Sequence, residues 1–385
     1  MLRSLYKKDK TFTLGILGGG QLAKMLAFEA YRMGLNLAII EKRAASPAGD
    51  MTHLEFPAGW EDDDELNRFI EVSDVITLEN EFVDPHILEK IAEKRTIFPN
   101  ANTLYKVQDK FIQKKTFAEA GLPVPHFEKI ETLDELLKFG KEHGYPHLIK
   151  ARKYGYDGYG NATVFNENEA KASWEKFSEQ NRNILAEKFV DFRMELAVMA
   201  TKGENGEYAI YPTVETVQYR HICHTVSAPA EIDPKLREKA QELAVGCVDA
   251  IEGTGIFGVE FFLTKDNKVL INEIAPRPHN TGHYTIEACY TSQFENAIRA
   301  VCGLPLGSPK MIKPAAAMVN LLGEKEGTGQ PKDKTELLRH KNAWLHLYNK
   351  KKSRIGRKMG HVTALGDTNE EALSIAQSAA EAIHW

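Results

Sequence analysis

The chain has 385 residues, with 49 basic and 54 acidic side chains and a formal net charge of −5. This length predicts two or three domains, and the near balance of charge excludes a general attraction to nucleic acid or to an anionic membrane. The four cysteines form no Cys-x-x-Cys pair, which favours reduced thiols in a cytoplasmic protein.

The first hundred residues are predicted to form a small doubly wound α/β domain. The basic segment MLRSLYKKDK lacks the apolar stretch of a signal peptide, and no later run approaches the length of a membrane span. TFTLGILGGG, QLAKMLAFEAYRMG and NLAIIE are typical of a strand, a glycine turn with a helix, and a second strand. The helix EDDDELNRFIEV, the strand DVITLEN, a helix from about Pro85 and the strand TIFP complete a predicted domain over 1–104.

The glycine turn matches the dinucleotide-binding fingerprint. Gly18, Gly20 and Ala23 give G-x-G-x-x-A after a strand, and Glu41 ends the following strand. This pattern is compatible with a nicotinamide or flavin site, with the acidic residue on the ribose. The alternative is a tight turn whose helix N-terminus serves another anion.

The middle of the chain predicts antiparallel sheets with helices on one face. One helix is expected through YKVQDKFIQKKTFAEAG, followed by the rigid turn GLPVP. Strands are expected at PHLIKARK, NATVF, NILAEKF, MELAVMA, EYAIYP and HICHTVSAP, with helices near 131–143, 167–180 and 234–251. These elements define a predicted domain over 105–305.

The last 80 residues predict a smaller, β-rich domain over 306–385. It contains MVNLLG, WLHLY, the basic run KKKSRIGRK and an Ala-rich helix. Such a run is usually a solvated surface, but the spacing around Gly356 indicates a loop that could bring several cations to one phosphate.

A glycine-rich hairpin follows the strand that carries Lys150. In KARKYGYDGYGNATVF the backbone N–H groups of the loop could close over phosphates, with the lysine approaching from the strand. A plain surface hairpin is the alternative.

Two strongly apolar strands, IFGVEFFL and KVLINEI, place Glu260 opposite Glu273 if the turn is centred on Asp266 and Asn267. Two carboxylates in that position repel each other, and a divalent cation such as Mg²⁺ would remove the penalty. Asn272 could add a ligand only if its strand bulges. Two solvated glutamates at a sheet edge are the alternative.

The segment NEIAPRPHNTGHYTIEACYTSQFE concentrates polar chemistry directly after this hairpin. Arg277, His279, Asn280 and His283 lie within ten residues of Glu273. So many charged and polar side chains in one short span are not typical of a core or of an ordinary surface. His283 is expected to be structural, because it begins the following helix.

Six motifs together resemble 5-(carboxyamino)imidazole ribonucleotide synthase, an ATP-grasp enzyme of purine biosynthesis. They are GGGQL, TLENE, GYDGYG, NEIAPRPHNTGHYT, TSQFE and GRKMGH, in this order along nearly the whole chain. The resemblance implies an ATP-grasp fold behind a pre-ATP-grasp domain. It implies ATP, Mg²⁺ or Mn²⁺, and bicarbonate, which form carboxyphosphate and then carboxylate 5-aminoimidazole ribonucleotide. A homodimer is implied, with no nucleic acid or membrane partner.

The resemblance also implies roles for individual residues. The ribonucleotide would be held by Gln21, Glu79, Lys350 and Arg357. ATP would be held by Lys106, Lys150, Gly155, Gly158, Gly160, Glu187 and Glu195. The metal would be held by Glu260 and Glu273 with Asn272, and the catalytic residues would be Asp157, Arg277, His279 and Asn280.

The sequence departs from the family pattern at three positions. Tyr159 stands where the glycine loop usually carries Lys or Arg, Gln218 replaces a common His, and Thr281 replaces Ser. We expect Tyr159 to cover the closed site against water.

Three rival interpretations remain at this stage. A formate-dependent glycinamide ribonucleotide transformylase shares the domain plan, but Asn280 and GRKMGH favour the carboxylating enzyme. An NAD(P)-dependent oxidoreductase leaves the Glu260 and Glu273 pair unexplained. A non-catalytic nucleotide sensor would be expected to lack a metal ligand or Lys150.

Overall fold

The computed structural model describes residues 6–7, 10–155, 160–180, 183–219 and 222–385. Within those ranges, no helix combines the length and the apolar character needed to cross a membrane.

The N-terminal region is built on a parallel sheet in the order β5-β4-β3-β6, which confirms the predicted doubly wound topology. Its elements are β1 Tyr6–Lys7, β2 Lys10–Thr11, β3 Thr13–Leu17, α1 Gln21–Arg32, β4 Asn36–Ile40, a 3-10 turn Gly49–Met51, β5 Leu54–Phe56, α2 Asp63–Val72, β6 Val75–Leu78 and α3 Pro85–Ala92. The strand predicted at TIFP is wrong. Ile97 makes one isolated bridge to Ile76, and the chain then enters the next helix at Asn100, whose side chain accepts a hydrogen bond from Thr103 N–H.

Two helices connect this region to the next, α4 Ala101–Gln108 and α5 Lys110–Glu119. The prediction of one continuous helix is therefore wrong. Asp109 separates them with an extended backbone, and its carboxylate accepts hydrogen bonds from the N–H groups of Phe111 and Ile112. An N-capping aspartate favours a new helix start over continuation. The predicted boundary at 104/105 falls inside α4 and stays a prediction.

A four-stranded antiparallel sheet follows, in the order β7-β10-β8-β9. Its elements are β7 Phe127–Ile130, α6 Leu133–His143, β8 His147–Ala151, β9 Asn161–Val164, α7 Glu167–Glu179 and β10 Ile184–Lys188. The two helices pack together over a core that includes Leu136, Phe139 and Phe177. β7 was not predicted, because its four residues, FEKI, do not alternate between apolar and polar side chains.

The largest sheet has nine strands, in the order β16-β15-β11-β13-β14-β17-β21-β19 with β12 beside β11. Its elements are β11 Phe192–Lys202, β12 Tyr208–Ile210, β13 Val214–Tyr219, β14 Ile222–Ala228, α8 Pro234–Ala250, β15 Gly255–Thr264, β16 Val269–Ala275, a 3-10 turn Asn280–Gly282, α9 Thr285–Ala288 and α10 Gln293–Val301. The C-terminal elements are β17 Ala315–Leu322, β18 Gly327–Thr328, α11 Thr335–Leu338, β19 Ala343–Leu347, β20 Lys352–Ser353, β21 Lys358–Gly366 and α12 Asn369–Glu381.

The C-terminal strands continue the central sheet, since β17 pairs directly with β14. The sequence-based boundary at 305/306 falls in the loop between α10 and β17 and stays a prediction. One hydrophobic cluster includes Leu26 of α1, Ile298 of α10 and Met318 of β17. The three regions therefore share a core, which fixes the loops of each against the others.

Candidate active site

The hairpin of β15 and β16 pairs Glu260 with Glu273, as the sequence predicts. The predicted two-residue turn is wrong. The loop has three residues, 265–267, closed by a hydrogen bond from Thr264 N–H to the Lys268 carbonyl, with Asn267 at φ 62°. This turn shifts the register by one residue, and a bulge at Asn272 shifts it back. Glu260 therefore pairs with Glu273 because the longer turn and the bulge shift the register in opposite directions.

The bulge also gives Asn272 a place in the site. Its side chain reaches the side of the sheet that carries Glu260, where Nδ2 lies 3.5 Å from Glu260 Oε2. Its Oδ1 accepts a hydrogen bond of 3.2 Å from Lys150 Nζ. The amide therefore connects the carboxylate pair to the lysine of β8.

The environment of Glu260 disfavours its ionised form, although Lys110 and Lys358 attract the carboxylate. Burial, and then the charges of Glu273 and Glu195, raise the pKa of Glu260 to about 8. Burial also raises the pKa of Glu195 to about 7, against the attraction of Lys150. Oxygen ligands with excess negative charge are what Mg²⁺ prefers, so the donor set fits a divalent cation.

Glu273 has the opposite environment. Its carboxylate forms an ion pair with Lys110 at the start of α5. Burial acts to raise the pKa of Glu273, but the ammonium of Lys110 overcomes it and lowers the pKa to about 2. Lys110 was not among the predicted site residues. The spacing of Lys110 and Lys114 at i and i+4 on a predicted helix was the available signal.

Lys150 and Glu187 meet on neighbouring strands of the four-stranded sheet, where Lys150 Nζ lies 3.0 Å from Glu187 Oε1. A second lysine, Lys114, approaches the other oxygen of Glu187 at 2.7 Å and donates to the Asn272 carbonyl at 3.0 Å. Burial lowers the pKa of Lys114 to about 8, although Glu187 opposes the shift. The structure thus brings two of the residues predicted to hold ATP together with an unpredicted buried lysine.

Lys106 is not part of this cluster. It lies on α4 and forms an ion pair of 2.6 Å with Glu252. Gly155 lines the cleft beside the carboxylates, and the carbonyl of Gly160 accepts from Ala151 N–H at 2.6 Å. Asp157, Gly158 and Tyr159 lie outside the described residues.

Arg277 is held across the domain boundary. Its Nε and Nη2 donate to the two oxygens of Glu81, at 2.5 and 3.1 Å. A bidentate pair of this kind fixes the plane of the guanidinium. Arg277 and Glu273 line a cleft of about 60 Å³, together with Glu81, Gln108, Lys110, Arg152, Gly155 and His279. The cleft therefore joins the N-terminal region to the carboxylate hairpin.

His279 is a neutral imidazole at physiological pH. Burial, with the charges of Arg277 and Lys358, lowers the pKa of His279 to about 3. Its Nδ1 lies 2.9 Å from Thr281 Oγ1 and its Nε2 lies 3.7 Å from Glu260 Oε1. The ring packs so closely on β15 that a Cβ at Gly258 would lie 2.5 Å from its own Cβ. The side chain is fixed in position and can exchange hydrogen bonds without carrying charge.

Asn280 and His283 face away from the cleft into the central sheet. Asn280 exchanges two amide hydrogen bonds with Asn320 of β17, at 3.0 and 2.6 Å. The ring of His283 is buried and lies 2.9 Å from Gln293 Nε2. The structural role expected for His283 agrees with this burial. Asn280 was predicted to be catalytic, and in this structure its amide joins the cleft segment to the C-terminal region.

The glycine turn is filled by the chain itself. The carboxylate of Glu79 accepts hydrogen bonds from Gly20 N–H at 2.6 Å and Ala23 N–H at 3.0 Å. Glu41, predicted to hold a ribose, accepts from Gly19 N–H at 3.0 Å. A Cβ at Gly20 would lie 2.5 Å from Glu79 Oε1. The anion position at the start of α1 is thus taken by Glu79, so the dinucleotide interpretation is wrong.

Gln21 and Lys350 meet across the molecule, with Lys350 Nζ donating to Gln21 Oε1 at 2.6 Å. Their sequence separation is 329 residues. Arg357 lies in the same basic loop and donates to the Lys352 carbonyl at 2.7 Å. Two of the four residues predicted to hold the ribonucleotide, Gln21 and Lys350, therefore meet, and a third, Glu79, accepts from the adjacent Gly20 N–H.

Three family models match the chain in sequence order. They are the ribonucleotide synthetase pre-ATP-grasp domain over residues 11–108, the ATP-grasp domain over 115–294, and the phosphoribosylaminoimidazole carboxylase C-terminal domain over 316–375.

Known proteins resemble the chain over most of its length. An N5-carboxyaminoimidazole ribonucleotide synthase of Bacillus subtilis is 37% identical, with 93% of this chain and 92% of the relative covered. A phosphoribosylaminoimidazole carboxylase of Schizosaccharomyces pombe is 39% identical over 93% of this chain, which spans only 66% of that relative. The crystal structure of an Aspergillus clavatus N5-carboxyaminoimidazole synthase with ADP and 5-aminoimidazole ribonucleotide is 34% identical, with a TM-score of 0.88 and coverage of 96% and 98%.

Proposed function

The chain belongs to the N5-carboxyaminoimidazole ribonucleotide synthase family, and we propose that it carboxylates 5-aminoimidazole ribonucleotide at the expense of ATP. Bicarbonate attacks the γ-phosphorus of ATP, which gives carboxyphosphate and ADP. The exocyclic amine then attacks the carbonyl carbon of carboxyphosphate. Phosphate leaves, and the amine nitrogen loses a proton. The product is 5-(carboxyamino)imidazole ribonucleotide, in purine biosynthesis.

The carboxylate hairpin is the observation that carries this proposal. Glu260 and Glu273 face each other beside Lys150 and Arg277, and the pKa of Glu260 is raised to about 8. A site for the transfer of a phosphoryl group needs this combination of oxygen ligands and fixed cations. Bound Mg²⁺, or Mn²⁺ in its place, would supply Lewis-acid stabilisation of the phosphoryl oxygens.

The side chains of the cleft fit the requirements of a carboxyphosphate intermediate. Arg277 supplies a fixed positive charge, because Glu81 holds its guanidinium in one plane. His279 is neutral and can donate or accept a hydrogen bond without repelling a cationic neighbour. Such preorganised donors stabilise a developing anion at little cost in reorganisation. Asp157 is retained as a proposed acceptor of the amine proton, from the family resemblance.

The ribonucleotide is proposed to bind between the glycine turn and the C-terminal basic loop. Gln21 and Lys350 already meet there, and Arg357 follows in the same loop. The Aspergillus clavatus relative was crystallised with this ribonucleotide and ADP. Lys150, Glu187 and Glu195 are proposed to hold ATP, with Lys106, Gly155, Gly158 and Gly160 contributing as the glycine loop closes.

We further propose that the enzyme is a cytoplasmic homodimer. The four cysteines are free and buried, which supports a compartment in which thiols stay reduced. The dimer rests on the family resemblance and is measured directly by sedimentation equilibrium.

The direct test measures ADP release on addition of the ribonucleotide, with and without bicarbonate. We expect release that requires both compounds, and incorporation of one ¹³C label from bicarbonate into the product. Glycinamide ribonucleotide with formate is the control pair, because it distinguishes the transformylase reaction.

ADP release with formate and glycinamide ribonucleotide, but not with bicarbonate, would reject the proposal. ADP release that is the same with and without each ribonucleotide would also reject the proposal, and would favour a simple nucleotidase.

A further inference from the structure

One group of potential metal ligands converges outside the cleft in the part of the chain that the structure describes. It consists of His126, Glu128 and His143, whose ligand atoms all lie within 4.8 Å of one another. None of the three lines the cleft, and the proposed carboxylation does not use them. Two imidazoles and a carboxylate form a donor set typical of borderline metals such as Zn²⁺, whereas Mg²⁺ prefers oxygen alone.

The distances already resemble a coordination shell. His126 Nε2 and His143 Nε2 each lie 3.2 Å from the same oxygen, Glu128 Oε1. In a tetrahedral site with bonds of about 2.0–2.1 Å, neighbouring ligand atoms lie about 3.3 Å apart. Two edges of such a tetrahedron are therefore present without rearrangement.

The side chains come from two regular elements with fixed relative positions. Glu128 is the second residue of β7 and pairs with Ala186 of β10, and the carbonyl of His126 accepts from Lys188 N–H at 2.8 Å. His143 is the last residue of α6. Ligands held on packed elements lose little conformational entropy when a metal binds.

The imidazole rings are also restrained by packing. The His126 ring stacks on Phe139 with centroids 6.0 Å apart, and the His143 ring lies 4.7 Å from the same phenyl ring. The two imidazoles lie 4.1 Å apart. The side chain of His126 is 50% exposed and that of His143 is 24% exposed, so solvent can supply the remaining ligand and metal has an open path.

The charges at this position favour a cation. Glu128 supplies the one carboxylate of the group, and its Oε1 faces both imidazoles. The C-terminus of α6 adds the negative end of a helix dipole beside His143.

We propose that His126, Glu128 and His143 form a zinc-type metal site on the outer side of the four-stranded sheet. The metal cross-links the end of α6 to β7, the strand that pairs with β10 beside Glu187. Its role is structural, because it joins two elements of one subdomain and leaves the carboxylating cleft unchanged. The inference does not depend on the proposed function.

The test is a zinc titration of the full chain, freed of any purification tag and of metal, in excess Mg²⁺ to saturate the carboxylate hairpin. We expect one zinc ion per wild-type chain at this site and a higher midpoint of thermal unfolding. His143→Asn and Glu128→Gln should each bind at least about 100-fold more weakly, because even indirect ligand partners contribute 10- to 100-fold.

The matched control is His86→Asn. His86 is also an exposed histidine, with its Nδ1 2.8 Å from Glu89 Oε2. It does not belong to the group of converging ligand atoms. Its loss should leave zinc affinity unchanged. Equal weakening in His86→Asn, or wild-type affinity in His143→Asn, overturns the proposal.

A second variant and a second readout keep the test valid if His143→Asn does not fold. His126→Asn replaces the more exposed ring, and Co²⁺ in place of Zn²⁺ reports coordination through its visible d–d bands. We expect these bands in the wild type and their loss in His126→Asn. Identical Co²⁺ spectra in the two proteins would contradict the site, and ADP release should be equal in both.

Discussion

Two carboxylates, the buried Glu79 at the glycine turn and the partly buried Glu260 on the hairpin, are in contrasting environments. Glu79 accepts short hydrogen bonds from two backbone N–H groups at the start of α1. The contacts of Glu260 with Asn272 and His279 are longer, at 3.5 and 3.7 Å. The fold satisfies the first carboxylate with backbone hydrogen bonds, whereas the second is repelled by two neighbouring carboxylates, a repulsion that a bound cation would relieve. Both positions looked like ligand sites in the sequence, and only their partners distinguish them.

The largest expected effect is at the hairpin. Glu273→Gln and Glu260→Gln should each reduce bicarbonate-dependent ADP release by roughly 100-fold or more at limiting Mg²⁺, because a metal is worth several kcal/mol of charge stabilisation. The measurement is initial rate against Mg²⁺ concentration. Glu238→Gln, an exposed carboxylate on α8, is the control. Full activity of both hairpin variants would show that Glu260 and Glu273 do not hold a metal that the reaction needs.

The two hairpin variants should differ in stability. Glu260→Gln should keep or raise the midpoint of unfolding, because it removes a carboxylate that Glu273 and Glu195 repel. Glu273→Gln should lower the midpoint, because Lys110 loses its ion-pair partner; breaking a buried pair costs roughly 3–5 kcal/mol, and less here since Glu273 is partly exposed. Thermal unfolding in EDTA measures the difference. Equal midpoints would show that Lys110 and Glu273 are not coupled in solution.

At the glycine turn, Glu79→Gln should mainly affect folding. One acceptor oxygen is lost from a pair of backbone hydrogen bonds, which predicts a loss of about 1–3 kcal/mol in the free energy of unfolding. Urea unfolding measures it. The kinetic parameters decide whether Glu79 also holds the ribonucleotide, as the family resemblance implies. An increased KM for the ribonucleotide with unchanged stability would reverse the comparison and make Glu79 a ligand-binding residue.

The basic loop allows a selective test of the substrate end. Arg357→Ala should raise the KM for the ribonucleotide about 10- to 100-fold and leave the KM for ATP nearly unchanged, because a charge-assisted hydrogen bond to a non-reacting phosphate is lost. Steady-state kinetics with each substrate varied provide the measurement. An equal increase in the KM for ATP would show that Arg357 does not bind the phosphate of the ribonucleotide selectively.

The pH dependence of stability without metal tests the environment of Glu260 directly. The pKa of Glu260 is about 8 in the folded chain and about 4.3 when unfolded. Its stabilising contribution is therefore full below about pH 4.3 and lost as pH rises through 8. The pKa of Glu273 is low, so its contribution to stability changes at pH values below this range.

The wild type should accordingly lose stability relative to Glu260→Gln between about pH 4.3 and 8 in EDTA, and added Mg²⁺ should reduce the difference. Thermal midpoints across this range provide the measurement. A constant difference would show that Glu260 titrates normally.

Local patterns in the sequence determined the element types and the family. Alternation and turn residues predicted the strands of the hairpin, and helical periodicity predicted α6, α7 and α8 close to their observed bounds. The ordered motifs identified the ATP-grasp family, which the comparisons confirm. These features depend on residues close together in the chain, so a linear sequence contains them.

Tertiary structure decided which groups meet. The bulge at Asn272, the ion pair of Lys110 with Glu273 and the amide pair of Asn280 with Asn320 join segments 12, 163 and 40 residues apart. The glycine turn shows the limit most clearly. Its spacing equally fits a dinucleotide phosphate or an internal carboxylate, and Glu79 takes the position from 59 residues away. The turn chemistry is local, but the identity of the anion depends on which strand the folded sheet places beside it.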